Sequence, residues 1–155
     1  MLFVHFIVVL APLTAILAIL CVVWPAARQR LVWLVLGLSI VTGILTPLTT
    51  DAGEWLQHRV AQSALVHTHA ELGKTMIFFS GALFIAAVLI AVQHVQAGRG
   101  KALSTVLTAV VAVFVALASV ATIVQTYRIG DSGAKATWSN KPLVQLSSGG
   151  GDDDG

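Results

Sequence analysis

The chain has 155 residues, 57% of them apolar and only 10% charged, against roughly 45–50% and about 25% in soluble domains. A mean hydropathy of +0.88 is more than one buried core of this size explains, so lipid must solvate much of the chain. A soluble enzyme, a nucleic-acid binder and a disulfide-built secreted module are excluded. The net charge of +2 describes no polyanion-binding surface, and Cys21, the single cysteine, permits no intramolecular disulfide.

Four stretches lack Asp, Glu, Lys and Arg: Leu2 to Trp24, Leu31 to Thr50, Thr75 to Val92 and Ala102 to Tyr127. A helix needs about 20 residues at 1.5 Å each to cross roughly 30 Å of hydrocarbon. The third stretch is short for this and extends to about 72–95. The predicted fold is all-α, an integral membrane four-helix bundle with helices over about 2–24, 31–50, 72–95 and 102–127, forming one domain over 1–138. The first stretch is not read as a cleaved signal peptide, because Met1 to His5 carries no Lys or Arg and the apolar run is too long. Pro12 leaves the Val8 carbonyl without its donor and predicts a kink.

The connections set direction. Pro25–Arg30 holds Arg28 and Arg30, and Gln96–Lys101 holds Arg99 and Lys101, both without an acid. Short basic loops stay in the cytoplasm, which puts both termini and the mixed-charge 51–74 link outside; Lys135 and Lys141 argue weakly against this. Helix contacts in lipid rely on small residues. Ser39 with Gly43, Ala112 with Ala116, and Ala118 with Thr122 supply such pairs. Residues 139–155 read as a flexible acidic Gly/Ser-rich tail.

The polar side chains gather at one level. Asp51 and Glu54 have the three-residue spacing of a capping box, which predicts a short interfacial helix between helices 2 and 3, with Trp55 and Leu56 in the interface. Glu54 and His58, at i and i+4, alternatively suit a metal. On helix 3, His67, Glu71, Lys74 and Phe78 descend one face; His69, Gly73, Met76 and Ser80 descend another. The second face is small and apolar below its histidine and suits the bundle interior. His69 is therefore the preferred functional histidine, weighed against a plain hydrogen bond to a neighbouring helix. His5 is its candidate partner, because two neutral imidazoles from two helices ligate haem iron or help hold a metal. A two-haem cytochrome is disfavoured, since the opposite side offers His94 alone. No Cys-x-x-Cys-His, phosphate loop, metalloprotease helix or nucleophile elbow is present.

Val4-His5-Phe6, Asp51-Ala-Gly-Glu54-Trp55, His69-Ala-Glu71-Leu-Gly73 and Gly130-Asp131-Ser132-Gly133-Ala134 through Trp138 together resemble a family of predicted four-helix bacterial membrane proteins, DUF2231, over roughly residues 3–138. The resemblance implies a multi-pass protein of the bacterial plasma (inner) membrane with polar motifs on one side. The positions it carries over are His5, Asp51, Glu54, His69, Glu71 and Trp138. Relatives often have histidine where this chain has Asp131. Some relatives are joined to Rieske-type iron–sulfur domains, which points to membrane redox chemistry. The resulting expectation is a non-catalytic subunit supporting membrane electron transfer. It would hold haem b through His5 and His69, or a divalent metal through His5, Asp51, Glu54, His69 and Glu71, beside the lipid bilayer and a redox or Rieske-type partner. The alternatives are a structural accessory subunit without cofactor and, less favoured, a small-solute permease.

Overall fold

The computed structural model describes residues 2–59 and 64–139. They form four helices: α1 (Leu2–Val23), α2 (Pro25–Gln57), α3 (Ala64–Gly98) and α4 (Thr105–Ser139). Each is long and apolar enough to cross a membrane. Successive helices pack side by side and α4 closes back on α1; α1 also touches α3, so α2 and α4 occupy opposite corners.

The connections are short because the sequence stops and starts each helix sharply. Trp24 alone joins α1 to α2: its amide bonds Leu20 and its carbonyl receives Arg28. Pro25 then takes the first helical position, where its missing N–H and fixed φ cost nothing. Gly100, at φ 70°, ends α3. There the Lys101 amide reaches the Gln96 carbonyl and the Gly100 amide that of Ala97, a Schellman closure that needs a left-handed residue. Ser104 caps α4, its Oγ accepting the Leu107 amide at 3.3 Å.

The core is a repeat of small side chains. Buried positions advance by alternating steps of four and three on every helix: Ile7, Ala11, Thr14, Ala18 and Cys21 on α1; Val32, Val35, Ser39, Thr42 and Thr46 on α2. The same rhythm runs through Met76, Ser80, Leu83, Ala87 and Ile90 on α3, and through Val111, Val115, Ala118, Thr122 and Gln125 on α4. A seven-residue seam gives left-handed, near-parallel helix packing, and alanine, serine and threonine on it bring backbones close where lipid offers no hydrophobic drive. Several buried hydroxyls return to their own helices, Thr14 donating to Leu10 at 2.6 Å and Thr122 to Ala118 at 2.7 Å, whereas those of Thr42 and Ser119 are buried without a partner among the described residues. Of the expected small pairs, Ser39, Ala118 and Thr122 lie in this seam. Gly43 and Ala112 border it, and Ala116 is exposed.

The helices outrun the charge-free stretches, and two expectations are corrected. Pro25–Arg30 is not a loop but the opening of α2. No separate interfacial helix is seen among the described residues: residues 51–57 are the continuous end of α2, and only His58 and Arg59 of the link that follows are described. Between Thr46 and Glu54 the helix runs on despite Pro47, which has no amide to give the Gly43 carbonyl. Thr46, Thr49 and Thr50 return their hydroxyls to carbonyls of the preceding turn, and Gly53 is carried inside the helix. Asp51 is therefore an exposed mid-helix residue and not an N-cap. Asp51→Ala should change stability by no more than about 0.5 kcal/mol, the usual range for such surface positions, where a lost cap would cost about 1 kcal/mol. Thermal denaturation in detergent checks this, and a drop as large as a lost cap would overturn the assignment. The acidic tail lies, from residue 140 onward, outside the described residues.

Exposed aromatics mark two levels on α2. Trp33 and Trp55 both face outward and lie about 33 Å apart along the helix, which matches the hydrocarbon thickness and the tendency of tryptophan to sit at its edges. Arg59 stacks on Trp55 at 3.9 Å from the ring centroid. At the other level, Trp33 meets His94 of α3 edge-on at 6.4 Å.

Candidate functional site

At the Trp55 end, the close of α2 and α4 and the opening of α3 stand together. Glu54 of α2 meets Lys74 of α3 at 3.3 Å, and Glu71, one turn before Lys74, meets it at 3.7 Å. Two carboxylates thus share one ammonium, and the group carries net negative charge. All three side chains are about half exposed, so the contribution to stability is small. A deeper clasp joins α3 to α4. The Gln125 amide nitrogen, on a nearly buried side chain, donates to the Thr75 hydroxyl at 2.7 Å and to the Leu72 carbonyl at 3.2 Å.

His69 is held one turn outside this clasp. Its Nδ1 lies 2.9 Å from Ser132 Oγ on α4, and Ser132 donates its single hydroxyl proton to the Ile129 carbonyl at 2.9 Å. With that proton committed, Ser132 accepts from the ring, so Nδ1 carries a hydrogen; in the neutral form of the ring the lone pair is then on Nε2. The ring reaches α4 because residue 133 is glycine: a Cβ there would stand 3.1 Å from His69 Cε1. Metal-binding histidines are oriented in this way, one nitrogen donating to a protein acceptor and the other left to ligate.

The imidazole forms part of the wall of a cavity of about 290 Å³. Val66, Ala70, Gly73 and Met76 continue the α3 wall beside it. Thr46, Thr49, Thr50, Gly53 and Glu54 form the α2 wall. Ile7 and Val8 of α1 and Ile129 of α4 complete it. The lining is overwhelmingly apolar, with His69 and Glu54 as its titratable groups among the described residues.

The two faces of α3 separate as the spacing predicts. His67, Glu71, Lys74 and Phe78 are exposed, whereas His69 is half-buried above buried Met76 and Ser80. The other expected site residues disperse. His5 is exposed on α1 and is not among the described cavity-lining residues. Asp51, His58 and Trp138 are exposed, and Glu71 lies at the rim with Lys74. Asp131 is exposed and pairs with Lys135 at 2.7 Å. Among the described residues, no three His, Cys, Asp or Glu side chains come close enough to hold a metal ion. Of the residues that meet His69 and form the clasp, Ser132 and Gly133 entered the sequence reading only within the motif that carries the resemblance, without a role, and Gln125 did not enter it. Their signal was a helix 4 that runs past Tyr127 at unbroken helical spacing, bringing Gln125, Ile129 and Ser132 onto one face.

A family model described as predicted membrane protein (DUF2231) matches residues 1–145. No curated protein and no solved structure matches the chain.

Proposed function

The chain belongs to the DUF2231 family of predicted membrane proteins, and on that premise we propose that it is a non-catalytic, ligand-holding subunit of the membrane, with His69 as the group that meets the ligand. The observation that carries this reading is the His69–Ser132–Ile129 chain, which engages Nδ1 of a ring that lines an apolar cavity and leaves Nε2 without a protein partner among the described residues. A histidine present only to join two helices has no need of a cavity. The expected all-protein divalent cation site, through His5, Asp51, Glu54, His69 and Glu71, does not suit this arrangement, which offers no three-ligand cluster among the described residues. A haem held by both His5 and His69 is also disfavoured, because His5 stands off the wall that His69 forms. The cavity lies at the lower end of the size range of small-molecule pockets, about 300–1,000 Å³, and its donor set suits a group that needs one imidazole. A role beside a redox partner rests on the family resemblance.

Native mass spectrometry of the detergent-purified full chain, with its absorption spectrum and metal content, tests the reading. A small molecule should copurify with the wild type and with His67→Ala, and be lost from His69→Ala. A colourless, metal-free and ligand-free wild type, indistinguishable from His69→Ala, would favour a cofactor-free accessory subunit instead.

We further propose that the His69 end faces outward. Arg28, Arg30, Arg99 and Lys101 collect at the opposite end without an acid, whereas Asp51, Glu54, Glu71 and Asp131 offset the basic residues here, the charge bias of cytoplasmic and outer faces. With Cys21 replaced, single cysteines at exposed Gln29, His58 and Lys101 should label with an impermeant thiol reagent in intact cells at position 58 alone. Labelling at 29 and 101 without 58 would invert the topology.

A further inference from the structure

We infer that the His69 cavity takes the hydroxyl-bearing ring of a neutral, membrane-dissolved lipophile, a phenol or hydroquinone, which donates its O–H to His69 Nε2. This rests on the cavity being a ligand site, and four observations narrow the ligand further. The first is the direction of the hydrogen bond. With Nδ1–H donated to Ser132, Nε2 of the neutral ring accepts, and the group that meets it must carry a proton. A quinone or ketone, which offers only acceptors, has no donor to meet here.

The second is what else the wall supplies. The Thr46, Thr49 and Thr50 hydroxyls all donate to α2 carbonyls and have no proton to give a ligand. The third is charge. Glu54 and Glu71 share Lys74 at the rim, leaving one negative charge in excess beside the cavity, which disfavours a phosphate or carboxylate headgroup. The fourth is depth. Glu54 lies one residue before Trp55, at the hydrocarbon edge, and His69 stands about 7–8 Å beyond Lys74 along α3. Ile7, Thr46 and Met76 lie on the lipid side of that level. A ligand spanning the cavity is therefore polar at His69 and apolar at its other end, the profile of a ring hydroxyl on a greasy body. The two wall glycines, Gly53 and Gly73, keep space for it, since a Cβ at either meets nothing within 4 Å.

The test uses the purified full chain in lipid nanodiscs at pH 8, without oxygen. The probes are a short-tailed isoprenoid hydroquinone, its dimethyl ether and the matching benzoquinone. The wild type should bind the hydroquinone about tenfold more tightly than the ether or the quinone, the scale of one hydrogen bond to the half-buried ring. His69→Ala should remove that preference, and His67→Ala should keep it. Gly73→Leu, whose Cβ meets nothing within 4 Å and whose side chain takes up cavity space, should lower hydroquinone affinity while the protein still melts cooperatively. Equal binding of hydroquinone and dimethyl ether to the wild type would overturn the donor assignment. If another molecule still copurified in a His69-dependent way, the ligand-holding function would stand while this ligand class fell. If none did, both would fall.

Discussion

Ala15→Leu should be among the most disruptive core substitutions, lowering stability by about 1–3 kcal/mol as overpacked cores do. Ala11, Ala15 and Ala18 are all fully buried, so α1 meets its neighbours through methyl groups and the backbones lie close. A leucine at position 15 must either push α1 away or leave its preferred rotamers. In lipid this loss has little compensation, because a displaced helix face gains nothing from exposure to acyl chains and forfeits only packing. Denaturant titration in mixed micelles, followed by circular dichroism, reads the effect. Ile16→Leu, at the neighbouring half-exposed position, serves as the control. Equal midpoints for the two variants would contradict the close approach of α1.

Gly133→Ala should separate stability from ligand binding. Alanine favours the helix over glycine by about 1 kcal/mol, and α4 is helical there, so by itself the change stabilises. The new Cβ, however, would lie 3.1 Å from His69 Cε1 and 3.4 Å from Nδ1, so the ring must give by a few tenths of an ångström, which disturbs its hydrogen bond to Ser132. Retained ligand should fall about tenfold, the scale of one lost hydrogen-bonded acceptor, with little net change in melting temperature. In the His69→Ala background the same substitution meets no ring and should raise the melting temperature outright. A stabilisation equal in both backgrounds would mean that the ring does not depend on the glycine.

What the sequence revealed follows from which forces are written locally. Absence of charge located four spans, because a buried ion in hydrocarbon is costly at any position. It could not locate helix ends, since a helix tolerates Asp51 or Arg128 once it clears the acyl chains. The Asp51–Glu54 spacing was misleading for the same reason: three residues apart describes both a capping box and one turn of continuous helix, and only Thr46 to Thr50 carrying the helix forward decides between them. The inward face of His69 was readable because 3.6-residue periodicity is local. Its partner Ser132 was not, being 63 residues away in sequence and beyond the charges that closed the fourth stretch. The seven-residue seam was present in the letters too. It was obscured because alanine, serine and threonine carry it where large apolar residues would have drawn the eye.

The separation of Trp33 and Trp55 has a bearing on which membranes suit this protein. An aromatic pair set about 33 Å apart along one helix prescribes a bilayer thickness, and a mismatched one must be met by tilting the bundle or deforming the lipid. Tilt is a poor remedy here, because the Glu54–Lys74 pair and the adjoining cavity ride at one rim. A thicker bilayer would submerge the ions and close the cavity off from water, whereas a thinner one would strand its apolar end above the acyl chains. Lipid chain length thereby becomes a variable that sets how accessible His69 is, without any change in the protein itself.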